Sequence, residues 1–204
     1  ESTQTYSNVQ YCVNFGAVEG TGTSGKVCIG GVVGKIGSSS PYYTLNVSLR
    51  ECANYGEVTS SSSSAYIGGV AGYLEKGIDI YEENSEIENC YNDGDISYEG
   101  DYRPGGIVGC VDLNCVTANC INYGNIPHGN GVIGTHEGSS WEYKQIYTLE
   151  GTYYPDSKWP DDTHVFSAEQ MGDSGYWDDT KLDFSTVWII KNGRPELRTC
   201  PFQY

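Results

Sequence analysis

The sequence predicts an all-β fold, a parallel β-helix-like solenoid of about four repeat units with a C-terminal β cap. Three observations predict it. A five-residue phrase, Cys-x-Asn-x-Gly, occurs four times, as Cys12–Asn14–Gly16, Cys52–Asn54–Gly56, Cys90–Asn92–Gly94 and Cys120–Asn122–Gly124. Each phrase is answered by Gly-Gly-[Ile/Val]-[Val/Ala]-Gly at 30–34, 68–72 and 105–109, with a degenerate copy, Asn130 to Gly134, in the fourth unit. Composition agrees, since 27 Gly and 18 Tyr beside a single Met favour turns and strands over helices. A pair of phrases recurring in fixed order is the mark of a repeat protein.

Successive boxes lie 40, 38 and 30 residues apart, within the range of solenoid periods. Units begin near residues 9, 49, 87 and 117, so residues 1–140 form the repeat region. No stretch inside a unit repeats apolar residues at helical spacing. Short β-type runs appear instead, at 27–33, 65–71 and 105–111, bounded by Gly, Ser and Asn. One unit cannot close a core, so equivalent strands are expected to stack in parallel, about 4.8 Å apart.

Within each box the Cys, Asn, Gly and the following Val18, Val58, Ile96 or Ile126 share parity and should face one way. The Cys residues then serve as small buried hydrophobes. The Asn column can bond from rung to rung or close the turn at each level. The box Gly supplies either a positive φ or a close backbone approach. Cys28, Cys110, Cys115 and Cys200 fall outside the boxes and leave one or two disulfides open.

Past residue 140 the grammar changes. All four tryptophans fall in 141–204, read as an aromatic-rich cap over the exposed edge of the stack. Ser167 to Met171 suggests one helical turn, and 182–197 reads as strand, turn, strand.

A net charge of −16 argues against sequence-independent nucleic-acid binding and against docking on an anionic membrane. No run approaches the roughly 20 apolar residues of a membrane span. The first residue, Glu1, opens no basic, apolar leader, which fits a processed or excised piece of a longer protein.

The paired phrases resemble the GLUG repeat of bacterial surface proteins, which also occurs beside the peptidase unit of IgA-specific metallopeptidases. Gly68-Gly69-Val70-Ala71-Gly72-Tyr73, Gly105-Gly106-Ile107-Val108-Gly109 and Cys90-Tyr91-Asn92-Asp93-Gly94-Asp95-Ile96 carry the resemblance, which covers about residues 9–140. The closing Trp188 and Gly193-Arg194-Pro195-Glu196-Leu197 also look like the tail that follows such repeats. The resemblance implies an extracellular stalk or adhesive module at the bacterial surface, with no catalytic residues to carry over.

Other motifs weigh little. Gly129 to Gly134 matches the Gly-x-Gly-x-x-Gly dinucleotide fingerprint, but no helix follows and the segment aligns with the Gly-Gly phrase. Gly172-Asp173-Ser174-Gly175 has the nucleophile phrase of trypsin-like proteases without that family's His motif. There is no His-Glu-x-x-His, and Cys110, Cys115 and Cys120 lack zinc-ligand spacing. Acidic clusters at 81–86, 156–162 and 178–183 could chelate Ca²⁺ but lack the spacing of a defined calcium loop, so no cofactor is expected.

Aromatic residues in loops and cap are the best binding candidates: Tyr42, Tyr43, Tyr81, Tyr98, Tyr102, Trp159 and Trp177. The expectation is a non-catalytic, monomeric module that presents these loops to a host or environmental glycoprotein or glycan. Two alternatives are a carbohydrate-active β-helix and a substrate-docking module of a larger secreted metallopeptidase.

Overall fold

In a computed structural model the described residues are 5–22, 26–37, 45–75, 85–137, 142–152, 163–178 and 180–200. The fold is all-β, and its sheets are parallel except for one C-terminal hairpin. The largest sheet stacks Thr5–Gln10, Leu45–Arg50, Glu86–Glu88 and Val116–Asn122, each parallel to the next. A second column stacks Val18–Gly20, Val58–Ser60 and Ile96–Ser97. A third pairs Val27–Gly30 with Ala65–Gly68, and a fourth stacks Val33–Ile36, Ala71–Leu74, Val108–Val111 and Ile133–His136. Each repeat therefore contributes one strand level to several columns. The Gly-Gly pair sits at the bend where the third column turns into the fourth.

Register makes like residues meet. Asn54 lies opposite Asn14 and Asn92, and Asn92 lies opposite Asn122. Asn14 Nδ2 donates to Asn54 Oδ1 at 2.8 Å, Asn54 Nδ2 to Asn92 Oδ1 at 2.8 Å, and Asn92 Nδ2 to Asn122 Oδ1 at 2.9 Å. Each Asn also bonds the Gly two residues on: Asn54 Nδ2 donates to the Gly56 carbonyl at 2.7 Å, and the Gly56 N–H donates to Asn54 Oδ1 at 3.3 Å. Both readings of the Asn column hold together, and amides at zero exposure become affordable because every polar atom is bonded.

The box glycines serve close approach. Their φ values are not positive, and a Cβ on Gly56, Gly94 or Gly124 would fall under 3.0 Å from the carbonyl of the box Gly one unit below. The second Gly of each Gly-Gly pair abuts the next unit's Asn, Gly31 on Asn54, Gly69 on Asn92 and Gly106 on Asn122. That contact explains why the two phrases travel together. Positive φ falls one residue before the box Cys, at Tyr11, Glu51, Asn89 and Asn119, and again at Gln145.

Two apolar columns flank the Asn ladder. One holds Cys52, Cys90 and Cys120 with Leu49, Leu74, Ile87 and Ile107; the other holds Val58, Ile67, Ile96 and Ile126. Burying each such Leu or Ile is worth about 1.5–3 kcal/mol, so stacking rather than any single unit supplies the core. All eight cysteines are free, six of them buried.

The C-terminal region departs from the expected end cap in two ways. Glu142–Leu149 continues the parallel sheet against Val116–Asn122, with Ile146 and Thr148 taking the Cys and Asn positions, and Thr163–Phe166 pairs beyond it. Asn122 Nδ2 reaches Thr148 Oγ1 at 3.4 Å, so the polar ladder crosses the expected boundary at 140. The remaining described segment lies along the side of the stack. Trp177, Trp188, Leu197 and Cys200 cover Ala53, Tyr91, Ile121 and Tyr123, the outward positions of the boxes. The physical reason is that these outward residues are themselves apolar and need cover. Arg194 fastens the segment through a two-point ion pair to Asp93 at 2.8 and 2.6 Å, and Tyr123 donates to the Pro195 carbonyl at 2.8 Å.

Local rules account for the small elements. The helix Ala168–Met171 has a capping box: Ser167 Oγ accepts from the Gln170 N–H at 3.2 Å while Gln170 Oε1 accepts from the Ser167 N–H at 2.8 Å. Trp188–Lys191 and Arg194–Leu197 form an antiparallel hairpin. Asn192 and Gly193 turn it with φ of 53° and 77°, the left-handed pair that suits a two-residue hairpin.

Candidate functional site

The loop after Ile96–Ser97 is the described loop that gathers exposed polar and aromatic groups on a fixed base. Tyr98 anchors it. Its hydroxyl donates to the Ser63 carbonyl at 3.0 Å and accepts the Ala65 N–H at 2.9 Å, which ties the loop to the unit below. Gly100 crosses over that ring, where a Cβ would overlap the Tyr98 hydroxyl. The Asp101 N–H donates to Ser63 O at 2.8 Å, and the Asn130 N–H donates to the Pro104 carbonyl at 2.9 Å, so both loop ends are pinned. Between the pins, Glu99, Asp101, Tyr102 and Arg103 line an open depression of 600 Å³ that His128 completes from the next unit. His128 Nε2 lies 3.4 Å from Glu99 Oε1.

Tyr102 joins this depression to a second cluster. Its ring centroid lies 4.6 Å from that of Tyr66. Lys26 Nζ sits 5.0 Å over the Tyr66 ring and 5.8 Å over that of Tyr102. Glu137 receives three donors, the Lys26 ammonium, the Tyr66 hydroxyl and, at 3.1 Å, the Tyr73 hydroxyl. Beside it Lys35 pairs with Glu75 at 3.0 Å and lies 5.5 Å over the Tyr73 ring.

These contacts set the protonation states. The Lys26 bond, then the Tyr66 hydroxyl, hold the Glu137 carboxyl below its ordinary range, and Glu137 in turn raises Lys26. Burial pushes the Tyr66 and Tyr73 phenols up. Burial also raises the Cys28 and Cys110 thiols in the same cluster. Near neutral pH the site thus presents a carboxylate, an ammonium, neutral phenols and unionised thiols. Such a set is built for hydrogen bonding and ring contact.

Of the aromatics expected to bind, Tyr102 alone lines this depression with an accessible ring. Tyr98 and Trp177 are corrections: at 4% and 1% exposure they are packing residues, because the hydroxyl and the indole N–H are used internally. Tyr42, Tyr43, Tyr81 and Trp159 lie outside the described residues. Lys26, His128 and Glu137 join the site with no signal in the sequence, and the buried Tyr66 and Tyr73 back it from below through their hydroxyls. Lys26 and Glu137 stand 111 residues apart, and only the stacking register brings them together. Tyr66 and Tyr73 were legible in principle, since each has the opposite parity to the core residues Ile67 and Leu74 beside it.

The Gly129 to Gly134 segment is a repeat level, with Asn130 bridged to Gly105 and Ile133–His136 paired to Val108–Val111. Among the described residues no three His, Cys, Asp or Glu side chains are grouped to hold a metal ion. No described helix is long and apolar enough to cross a membrane.

Fold and site together describe an all-β protein of parallel stacked repeats with a pinned polar–aromatic loop. No family model and no curated protein matches the chain. Among solved structures it is similar to the crystal structure, at 1.30 Å, of a protein described as a putative immunoglobulin A1 protease from Bacteroides ovatus. The two share 19% identity with a TM-score of 0.58, over 96% of this chain and 75% of that one. At that identity the likeness is one of fold.

Proposed function

We propose that this chain is a non-catalytic β-solenoid module of a bacterial surface protein that presents a binding face to a host glycoprotein or glycan. One observation carries the reading: the 98–103 loop is pinned at both ends while Glu99, Asp101, Tyr102 and Arg103 line an open depression shared with His128. A rigid frame with variable polar loops is the usual division of labour in binding modules. The GLUG-like phrases support an extracellular setting, and the repeat chemistry calls for no cofactor. Burial of six of the eight thiols is compatible with an oxidising medium, since oxidants reach exposed thiolates first.

A second reading, a substrate-docking module of a larger secreted peptidase, is favoured by the likeness to the Bacteroides ovatus protein. One experiment separates binding from chemistry. The purified chain is incubated with immobilised glycoproteins and polysaccharides, and both retention and released fragments are measured. Retention without fragments is expected. Fragment release that disappears on replacing one pair of carboxylates would establish an enzyme instead.

A further inference from the structure

A second surface, well away from the 98–103 loop in the sequence, has a different chemistry. On the outer side of Glu142–Leu149 two depressions of 450 and 330 Å³ share Gln145 and His164 and so form one groove. Lys144 and Lys181 line it, in a chain with only 11 Lys and Arg against 27 Asp and Glu. The one carboxylate among the lining residues, Glu88, is already engaged: Asn119 Nδ2 donates to its Oε1 at 3.3 Å, and Arg50 Nε lies 3.6 Å from its Oε2.

Several donors in this groove are unused. Lys181 has no ion-pair or hydrogen-bond partner among the described residues. Gln145 spends its Oε1 on the Tyr147 hydroxyl at 2.6 Å, which leaves its Nε2 as a donor. Gln145 holds the left-handed φ of 53° that the equivalent residue of each unit below also holds. His164 is exposed and stacks one ring face on Tyr147 at 5.1 Å and 25°, and among the described residues no second ring is stacked on it. Half-buried Tyr143 and Tyr176 add ring surface at the two ends.

We propose that this groove binds a sugar bearing a carboxylate. Lys181 takes the carboxylate as a point charge, Lys144 adds positive potential beside it, Gln145 Nε2 donates to a ring hydroxyl, and the exposed His164 ring covers the apolar face of the pyranose. An acidic peptide is a poorer fit. Residues 146–148 are paired on both sides, to the strand ending at Asn122 and to Thr163–Phe166, so no strand can join there, and an exposed imidazole ring matches a sugar face better than an extended backbone.

The test is titration calorimetry of the whole chain with five probes: a hyaluronan tetrasaccharide, sialyllactose, the carboxyl-reduced form of each, and a glutamate-rich peptide. A uronic or a sialic acid source shows as preference for the first or the second probe. Carboxyl reduction should weaken binding at least tenfold, as should Lys181→Gln, and 0.5 M salt should weaken it further. Gln145→Asn, which tolerates the backbone but shortens the amide, should weaken it without moving the melting temperature. Acidic-sugar binding lost in Lys181→Gln but kept in Tyr102→Ala belongs to the groove; the reverse pattern belongs to the 98–103 loop and overturns the proposal, so the two readings fail separately. Equal affinity for the reduced sugars, tighter binding of the peptide, or no binding of either acidic sugar by the wild type would overturn the proposal.

Discussion

Replacing Asn54 by Ala probes the polar ladder at its most enclosed level. Asn54 makes four hydrogen bonds: it accepts from Asn14 Nδ2 at 2.8 Å and from the Gly56 N–H at 3.3 Å, and it donates to Asn92 Oδ1 at 2.8 Å and to the Gly56 carbonyl at 2.7 Å. All lie beside a residue of zero exposure, so water cannot take over without opening the stack. At about 1 kcal/mol net per bond the loss is about 4 kcal/mol, a large fraction of a domain's stability. Asn14→Ala is the internal control. It removes three bonds, but those to Gly16 are exposed and water replaces them, so the cost is about 1 kcal/mol. Urea unfolding followed by tryptophan fluorescence and far-ultraviolet circular dichroism measures both, with m unchanged if only stability moves. Losses within about 0.5 kcal/mol of each other at the two positions would refute the buried-ladder reasoning.

Three further outcomes follow from the same geometry. Gly56→Ala should destabilise by about 3 kcal/mol or prevent folding, because its Cβ would meet the Gly16 carbonyl, whereas Gly16→Ala, with a nearest neighbour at 3.7 Å, should be near neutral by thermal melting. Burial pushes the His136 imidazole from 6.5 down to about 4. Between those values the unfolded chain binds a proton that the folded chain does not. Stability should therefore fall as pH drops from 6.5 towards 4 and level off below, and His136→Gln should flatten that slope in urea midpoints taken across the range. Titration with a thiol reagent should modify Cys12 and Cys28 in the native protein and the six buried cysteines only in denaturant; rapid reaction of all eight would contradict the stacking.

The scaffold was legible where its physics repeats. The Cys, Asn and Gly of each box recur because every level meets the same neighbours above and below, and periodic contact leaves a periodic sequence. The left-handed residue before each Cys was not legible. Asn89 and Asn119 signal it, but Tyr11, Glu51 and Gln145 do not, since the surrounding ladder fixes their conformation against preference. The side-lying C-terminal segment was hidden for another reason. Parity assigns Ala53, Tyr91 and Ile121 to the outside, and residues from the later segment, Trp177, Trp188, Leu197 and Cys200, bury them. The site shows both limits: Tyr102 sits in a recognisable loop, while its neighbours Lys26, Tyr66 and Glu137 come from three other units and leave no local pattern.

The central claim is that the repeats build a frame and the 98–103 loop does the recognising. Its most direct test is one screen of glycans and glycoproteins with the wild-type chain and a Glu99→Gln, Tyr102→Ala, His128→Ala variant. The account predicts equal melting temperatures and at least a tenfold loss of binding in the variant. Unchanged binding by a variant that folds as the wild type does would contradict it.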